Sequence, residues 1–225
     1  MIDTTINVDQ LITAIVETLF MTFTSLVFAS ILGLLLGILL FCTQTGGLFE
    51  NRILNRTMDI ISNILRAIPY IILLILMIDI TKMLVGTMLG AKAAIPSLVV
   101  AATPFYARLC VTAFREVDKG TIEASKAMGA SNFQIITKVL LPESLPALIS
   151  GITFTGISLV SYTAMAGAIG AGGLGNLAYI YGFARRNYAV LYAATLIIII
   201  LIFVLQRVGD ILVRKVDKRS IERGN

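Results

Sequence analysis

Apolar residues along this chain come in long runs broken by short polar stretches, and the runs have the length a membrane demands. Residues 18–49 contain no charged side chain, and within them "LFMTFTSLVFASILGLLLGILLFC" fills the window a first span needs. A helix crosses the hydrocarbon core with about 20 predominantly apolar residues. The second run is "IISNILRAIPYIILLILMI", residues 60–78, with Arg66 near one end and Asp79 closing the other. The third, residues 94–114, is weaker, since "AIPSLVVAATPFYARLCVTAF" carries two prolines and Arg108. A fourth covers residues 147–169 and a fifth residues 189–205. The pattern predicts an all-α, polytopic transmembrane helix bundle of about five spans, a single transmembrane domain over residues 1–225. No Lys or Arg precedes the first run, so the N-terminus does not read as a secretory signal.

Between the third and fourth runs lies a polar segment with its own helix punctuation, "TIEASKAMGASNFQIITKVLLPESLPALISG". A short helix fits residues 121–128, with Gly129 as its C-terminal cap. Ser131 then begins a second helix, and Gln134 three residues on completes a capping-box pattern. Phe133, Ile136, Val139 and Leu140 form that helix's apolar side, and Pro142 is expected to end it. The segment, about residues 115–145, reads as a bent amphipathic pair. It is either an interfacial connector packed on the bundle or a docking element for a soluble partner.

Composition agrees with lipid as the solvent. The chain is 57% hydrophobic and 14% charged, with a mean hydropathy of +0.92. Soluble domains run at about 45–50% apolar and about 25% charged. Histidine is absent, which excludes histidine triads, histidine metal sites and histidine proton relays. Cys42 and Cys110 lie in or beside apolar runs without C-x-x-C spacing and read as small buried hydrophobes. No catalytic, metal or cofactor constellation stands out.

The formal charge of +5 is explained by its placement. With five spans, one side receives Arg52, Arg56, Arg115, Lys119, Lys126, Lys138, Arg207, Arg214, Lys215, Lys218, Arg219 and Arg223. The other receives Lys82, Lys92, Arg185 and Arg186. Positively charged loops stay in the cytoplasm. The C-terminus is therefore expected in the cytoplasm and the N-terminus outside, and the charge calls for no nucleic acid.

Gly170, Gly172 and Gly175 spell G-x-G-x-x-G inside "AMAGAIGAGGLGNLAY". A dinucleotide turn would need a preceding strand and an acid about 20 residues further on. Here a membrane span precedes, and "AATLIIII" follows at that distance. The cofactor reading is rejected. The glycines instead suit close backbone approach and a tight return from the fourth span. A Walker A motif is also missing, because "GTMLGAK" fails its spacing.

In the fourth span Thr155, Ser158, Tyr162, Met165 and Ile169 are spaced 3, 4, 3 and 4 apart and share a helical face, with Ser161 and Thr163 beside it. That face is either an interhelical hydrogen-bonding seam or a weakly polar translocation surface gated by Met165. Arg66, just inside a span, is either functional or snorkels to the interface. Arg185 and Arg186, in "RRNY", carry no assigned role.

The polar segment resembles a known family. Glu123-Ala124-Ser125, three residues, Gly129, nine residues, then Val139-x-Leu141-Pro142 is similar to the EAA loop of ABC-importer permeases, E-A-A-x3-G-x9-I-x-L-P, with Ser125 and Val139 as mild departures. "RAIPYIILLI", "SYTAMAGAIGAGGLGNLAYIYGF" and the short five-span layout resemble methionine-type ABC-importer permeases. The resemblance implies a type I importer permease of a bacterial inner membrane, itself not an enzyme, carrying methionine (D- and/or L-). A permease for osmoprotectant quaternary amines or another small amino acid is the alternative. It implies that the Glu123 helix docks on a cytosolic ABC ATPase in two copies, Ala124 and Gly129 permitting close approach. An extracytoplasmic substrate-binding lipoprotein is implied as well. Five spans are few to enclose a pathway, which favours a two-fold dimer with a second permease copy.

Overall fold

The computed structural model describes residues 8–217, so the expectations for Asn7, Lys218, Arg219, Ser220 and Arg223 fall outside the described residues. All regular structure among them is helical. The elements are α1 (Val8–Thr43), α2 (Arg52–Ala67), α3 (Tyr70–Leu76), α4 (Ile78–Val85), α5 (Ala91–Arg115), α6 (Lys119–Ala127), α7 (Asn132–Ile135), α8 (Leu141–Ala166), α9 (Gly173–Asn176) and α10 (Tyr188–Val216). Wider π turns occupy Ile136–Leu140, Gly167–Ala171 and Leu177–Ala184. Four helical stretches are long and apolar enough to cross a membrane, and counting the bent pair α2 and α3 as one span gives up to the expected five.

The seam between α1 and α5 is built from small residues. Thr18, Thr22, Ser25, Ala29, Gly33 and Gly37 are buried along one side of α1. A Cβ on Gly37 would lie 2.6 Å from the Cβ of Cys110, and one on Gly33 2.9 Å from the Thr103 carbonyl. Such contact of backbones is how helices associate in lipid, where no hydrophobic force separates helix from solvent. The opposite side of α1 exposes Phe20, Phe23, Val27 and Leu35, and α10 exposes Leu196, Ile200 and Phe203. These are the surfaces expected to meet acyl chains. Cys42 and Cys110 are both buried and free.

The second span departs from its expected course. Residues 60–67 belong to the amphipathic helix α2, and the chain bends by 104° before α3. The cause is Pro69: proline disfavours the helical region for the residue before it, and Ile68 is extended at φ −74°, ψ 122°. Helical hydrogen bonding then carries α3 into α4 through Met77, whose N–H donates to the Leu73 carbonyl at 3.0 Å. Arg66 thus sits exposed in the last turn of α2, at the bend.

Pro142 does not end a helix either. The helical stretch Asn132–Ala171 runs past it, through the π turn Ile136–Leu140 and into α8. Pro142 follows directly on that π turn, where the Leu141 N–H reaches back to the Ile136 carbonyl and the wider winding lets the path continue past a residue without an N–H. The apolar side also differs: Phe133 is 71% exposed, while Ile135 is fully buried beside Ile136 and Leu140. The Asn132 side chain donates to the Leu48 carbonyl at 2.8 Å, which turns the 132/135/136 side inward and Phe133 outward.

Candidate coupling and translocation site

Helix α6 is a short, separately capped element. Asp118 caps its start by accepting from the Gly120 N–H. Its far end closes in a double turn: Gly129 N–H donates to Lys126 O at 2.9 Å and Ala130 N–H to Ser125 O at 3.0 Å. That closure needs a left-handed residue, and Gly129 supplies it at φ +84°. The capping box follows as expected, Ser131 Oγ accepting from Gln134 N–H at 3.3 Å and Ser131 N–H donating to Gln134 Oε1 at 2.9 Å. Glu123, Ala124 and Gly129 are exposed, as is Met128 at 81%. Ser125 is buried and donates to the Thr121 carbonyl at 2.8 Å, so it faces the bundle. Leu141 packs on the core that includes Phe114 and Leu140, and Pro142 is exposed.

A groove of about 650 Å³ separates α6 from the turn at residues 44–48, with Lys119, Glu123, Lys126 and Arg115 on its rim and Phe41, Phe114 and Ile122 in its floor. The turn beside it is fixed by Glu50, whose carboxylate accepts from the Gly46 N–H and the Arg52 side chain, both at 3.0 Å. The Gly46 N–H first, then Arg52, holds the Glu50 carboxyl below its usual range. Arg108 of α5 reaches Asp59 of α2 at 3.8 Å.

The polar face expected on α8 is split. Thr155 is fully buried and donates to Gly151 O at 2.7 Å, so it belongs to the packing seam. Ser161 and Met165 lie on the exposed side, Met165 at 47%, together with Phe154 at 60%. Ser158 donates to Phe154 O at 3.0 Å. Tyr162 stacks on Tyr70, ring centroids 4.8 Å apart, and the Tyr70 hydroxyl shares a 3.2 Å hydrogen bond with Ser97. Ile169 lines an apolar cavity of about 270 Å³ with Leu74, Ala94 and Ser97. Sequence reasoning missed Tyr70 and Ser97, because the contact forms only once Pro69 redirects the chain.

Beyond α8 the chain turns through Gly170, Gly172 and Gly173, all with positive φ. Gly173 N–H donates to Glu17 Oε2 at 2.6 Å and Leu174 N–H to Thr18 Oγ1 at 2.9 Å. Close backbone approach, expected of these glycines, occurs at Gly175, whose added Cβ would strike the Ala164 carbonyl. Arg185 lies over the Tyr181 ring at 4.4 Å.

A short capped helix outside a bundle of four to five candidate membrane spans, with a weakly polar exposed face at the far end of α8, fits the membrane component of a transporter. The chain matches the family described as binding-protein-dependent transport system inner membrane component over residues 29–220, and it belongs to that family. Among its relatives, the Methionine import system permease protein MetP of Bacillus subtilis (strain 168) is 54% identical over 80% of this chain and 82% of that protein. The Probable D-methionine transport system permease protein MetI of Pasteurella multocida (strain Pm70) is 49% identical over 90% and 94%. A chain of the inward-facing MetNI methionine ABC transporter superposes with a TM-score of 0.91 at 47% identity, covering 93% of this chain and 97% of that one. The fold is that of a type I ABC-importer permease, as expected from the sequence. An amino acid ABC transporter at 17% identity and TM-score 0.77 shares the fold alone.

Proposed function

We propose that this chain is the membrane permease of an ATP-driven importer that carries methionine, D- or L-, into the bacterial cytoplasm. Two copies pair about a two-fold axis, and each offers α6 to a separate cytosolic ATPase that binds and hydrolyses the nucleotide. An extracytoplasmic binding lipoprotein delivers the cargo. The observation that carries the ATPase docking is the geometry of α6: a rigidly capped helix that presents Glu123, Ala124 and Gly129 to solvent while Ser125 anchors its other side. The identity to methionine permeases over most of the chain supports the cargo. Met165 and Ser161, exposed on α8, line the pathway opposite the second copy.

The test is reconstitution of the complex purified from native membranes. ATP-dependent uptake of labelled methionine, competed by unlabelled methionine and indifferent to glycine betaine, is the expected result. Uptake of the quaternary amine instead assigns the cargo to the osmoprotectants. Absence of a copurifying ATPase removes the importer reading.

A further inference from the structure

The glycine motif that is no dinucleotide site still holds an anion, one supplied by the chain itself. At a helix start the first N–H groups have no partner within the helix and favour negative charge. The helical segment of residues 173–184 opens in this way at Gly173, and its first two amides are met by Glu17 and Thr18 of α1, 156 residues away in sequence. Thr18 is oriented for this by donating its own hydroxyl proton to Ala14 O at 2.9 Å. The fit leaves no room for side chains. A Cβ on Gly172 would meet the Glu17 carboxylate, and one on Gly173 would lie 2.7 Å from Thr18 Oγ1.

The same segment is tied back to α8. Asn176 donates to Gly167 O at 3.2 Å, and Gly167 is two residues beyond Met165. A continuous line of contacts therefore runs from the Glu17 carboxylate to the end of α8 that carries Met165. The attachment to α1 combines these hydrogen bonds with apolar packing of Leu174 and Leu177 on Ala14, Leu11 and Ile15, and it borders a cleft of about 270 Å³ lined by Asp9, Thr13, Glu17, Asn176 and Leu177. The Gly173–Glu17 bond is half-buried and borders the cleft, where water can replace either partner, while the Leu174–Thr18 bond is buried.

We propose that Glu17 and Thr18 are positioning residues for transport: they latch the glycine segment to α1, hold the Met165 end of α8 closed, and release it when the outer end opens. The inference rests on reading α8 as the pathway wall. Its test uses the assembled complex in proteoliposomes, with Met165→Cys as a reporter for an impermeant maleimide added from the N-terminal side of α1. The native Cys42 and Cys110 are buried. Losing a hydrogen bond to a charged group shifts an equilibrium by about tenfold. Glu17→Ala is accordingly expected to raise the labelling rate about tenfold, and Thr18→Val to raise it as well. Thr18→Ser keeps the acceptor and is expected to stay within about twofold of the parent, while Glu17→Gln keeps an acceptor without the charge and is expected to fall between the parent and Glu17→Ala. An assembled Glu17→Ala or Thr18→Val complex that labels at the parent rate overturns the latch, as does Glu17→Gln labelling as fast as Glu17→Ala. Labelling is read without ATP or cargo, so a parent complex that fails to import methionine counts against the function and not against the latch.

Discussion

At the scale of single residues, Gly129 separates the demands of conformation from those of space. Nothing lies within 4 Å of a Cβ built on it, so a larger side chain meets no clash. Only its left-handed φ resists substitution, at about 1–2 kcal/mol for an ordinary L-residue. Gly129→Val is expected to fray the end of α6, leave membrane insertion intact, and lose the copurifying ATPase or the uptake it drives. Gly129→Asn, tolerant of that conformation, is expected to retain both; equal loss in the two variants would mean the position serves another purpose. Met165→Ala is expected to raise uncoupled leakage or change the transport rate with assembly unchanged, measured as cargo efflux from loaded vesicles. Ser131, Gln134 and Gly129 were legible in the sequence because caps are local chemistry. The orientation of α8 was not. Periodicity placed Thr155 and Met165 on one stripe, but in a helix apolar all round it carries no phase, and Thr155 turned inward while Met165 stayed exposed.

Among the elements, the long apolar helices were readable because lipid imposes length on sequence. The broken second span was not, since hydropathy ignores the backbone of Ile68 and one proline suffices to move residues 60–67 into a separate amphipathic helix. Pro142 misled in the opposite direction, because the π turn just before it lets the helical path continue past a residue without an N–H. The α1 and α5 seam offers a test at this scale. Gly37→Leu forces side-chain atoms into Cys110 and the Ala107 backbone, and overpacking of this kind costs about 1–3 kcal/mol or more. A lowered Tm of the detergent-solubilised protein is expected, with Leu35→Ala, on the exposed side of the same helix, near the parent value. Equal Tm values for Gly37→Leu and the parent would show that the seam yields.

For the molecule as a whole, charge placement predicts its orientation. Cysteines introduced near Ser131 and Ser220 are expected to label from the cytoplasm, and one near Asn7 from outside. External labelling at Ser220 would reverse the orientation and take α6 away from a cytosolic ATPase. Met165 and Asn132, though at opposite ends, belong to one helical path. A helix rises 1.5 Å per residue, so residues 132–165 make a strut on the order of 50 Å long. Such a strut has the form of a connecting rod, so a push or roll delivered near Asn132 would be carried along it toward Met165. Its winding is interrupted at the π turn of Ile136–Leu140 and again at Pro146. Because Asn132 also grips the Leu48 carbonyl, the same stroke would pull on the turn between α1 and α2, so that a single input would move two limbs of the bundle in step.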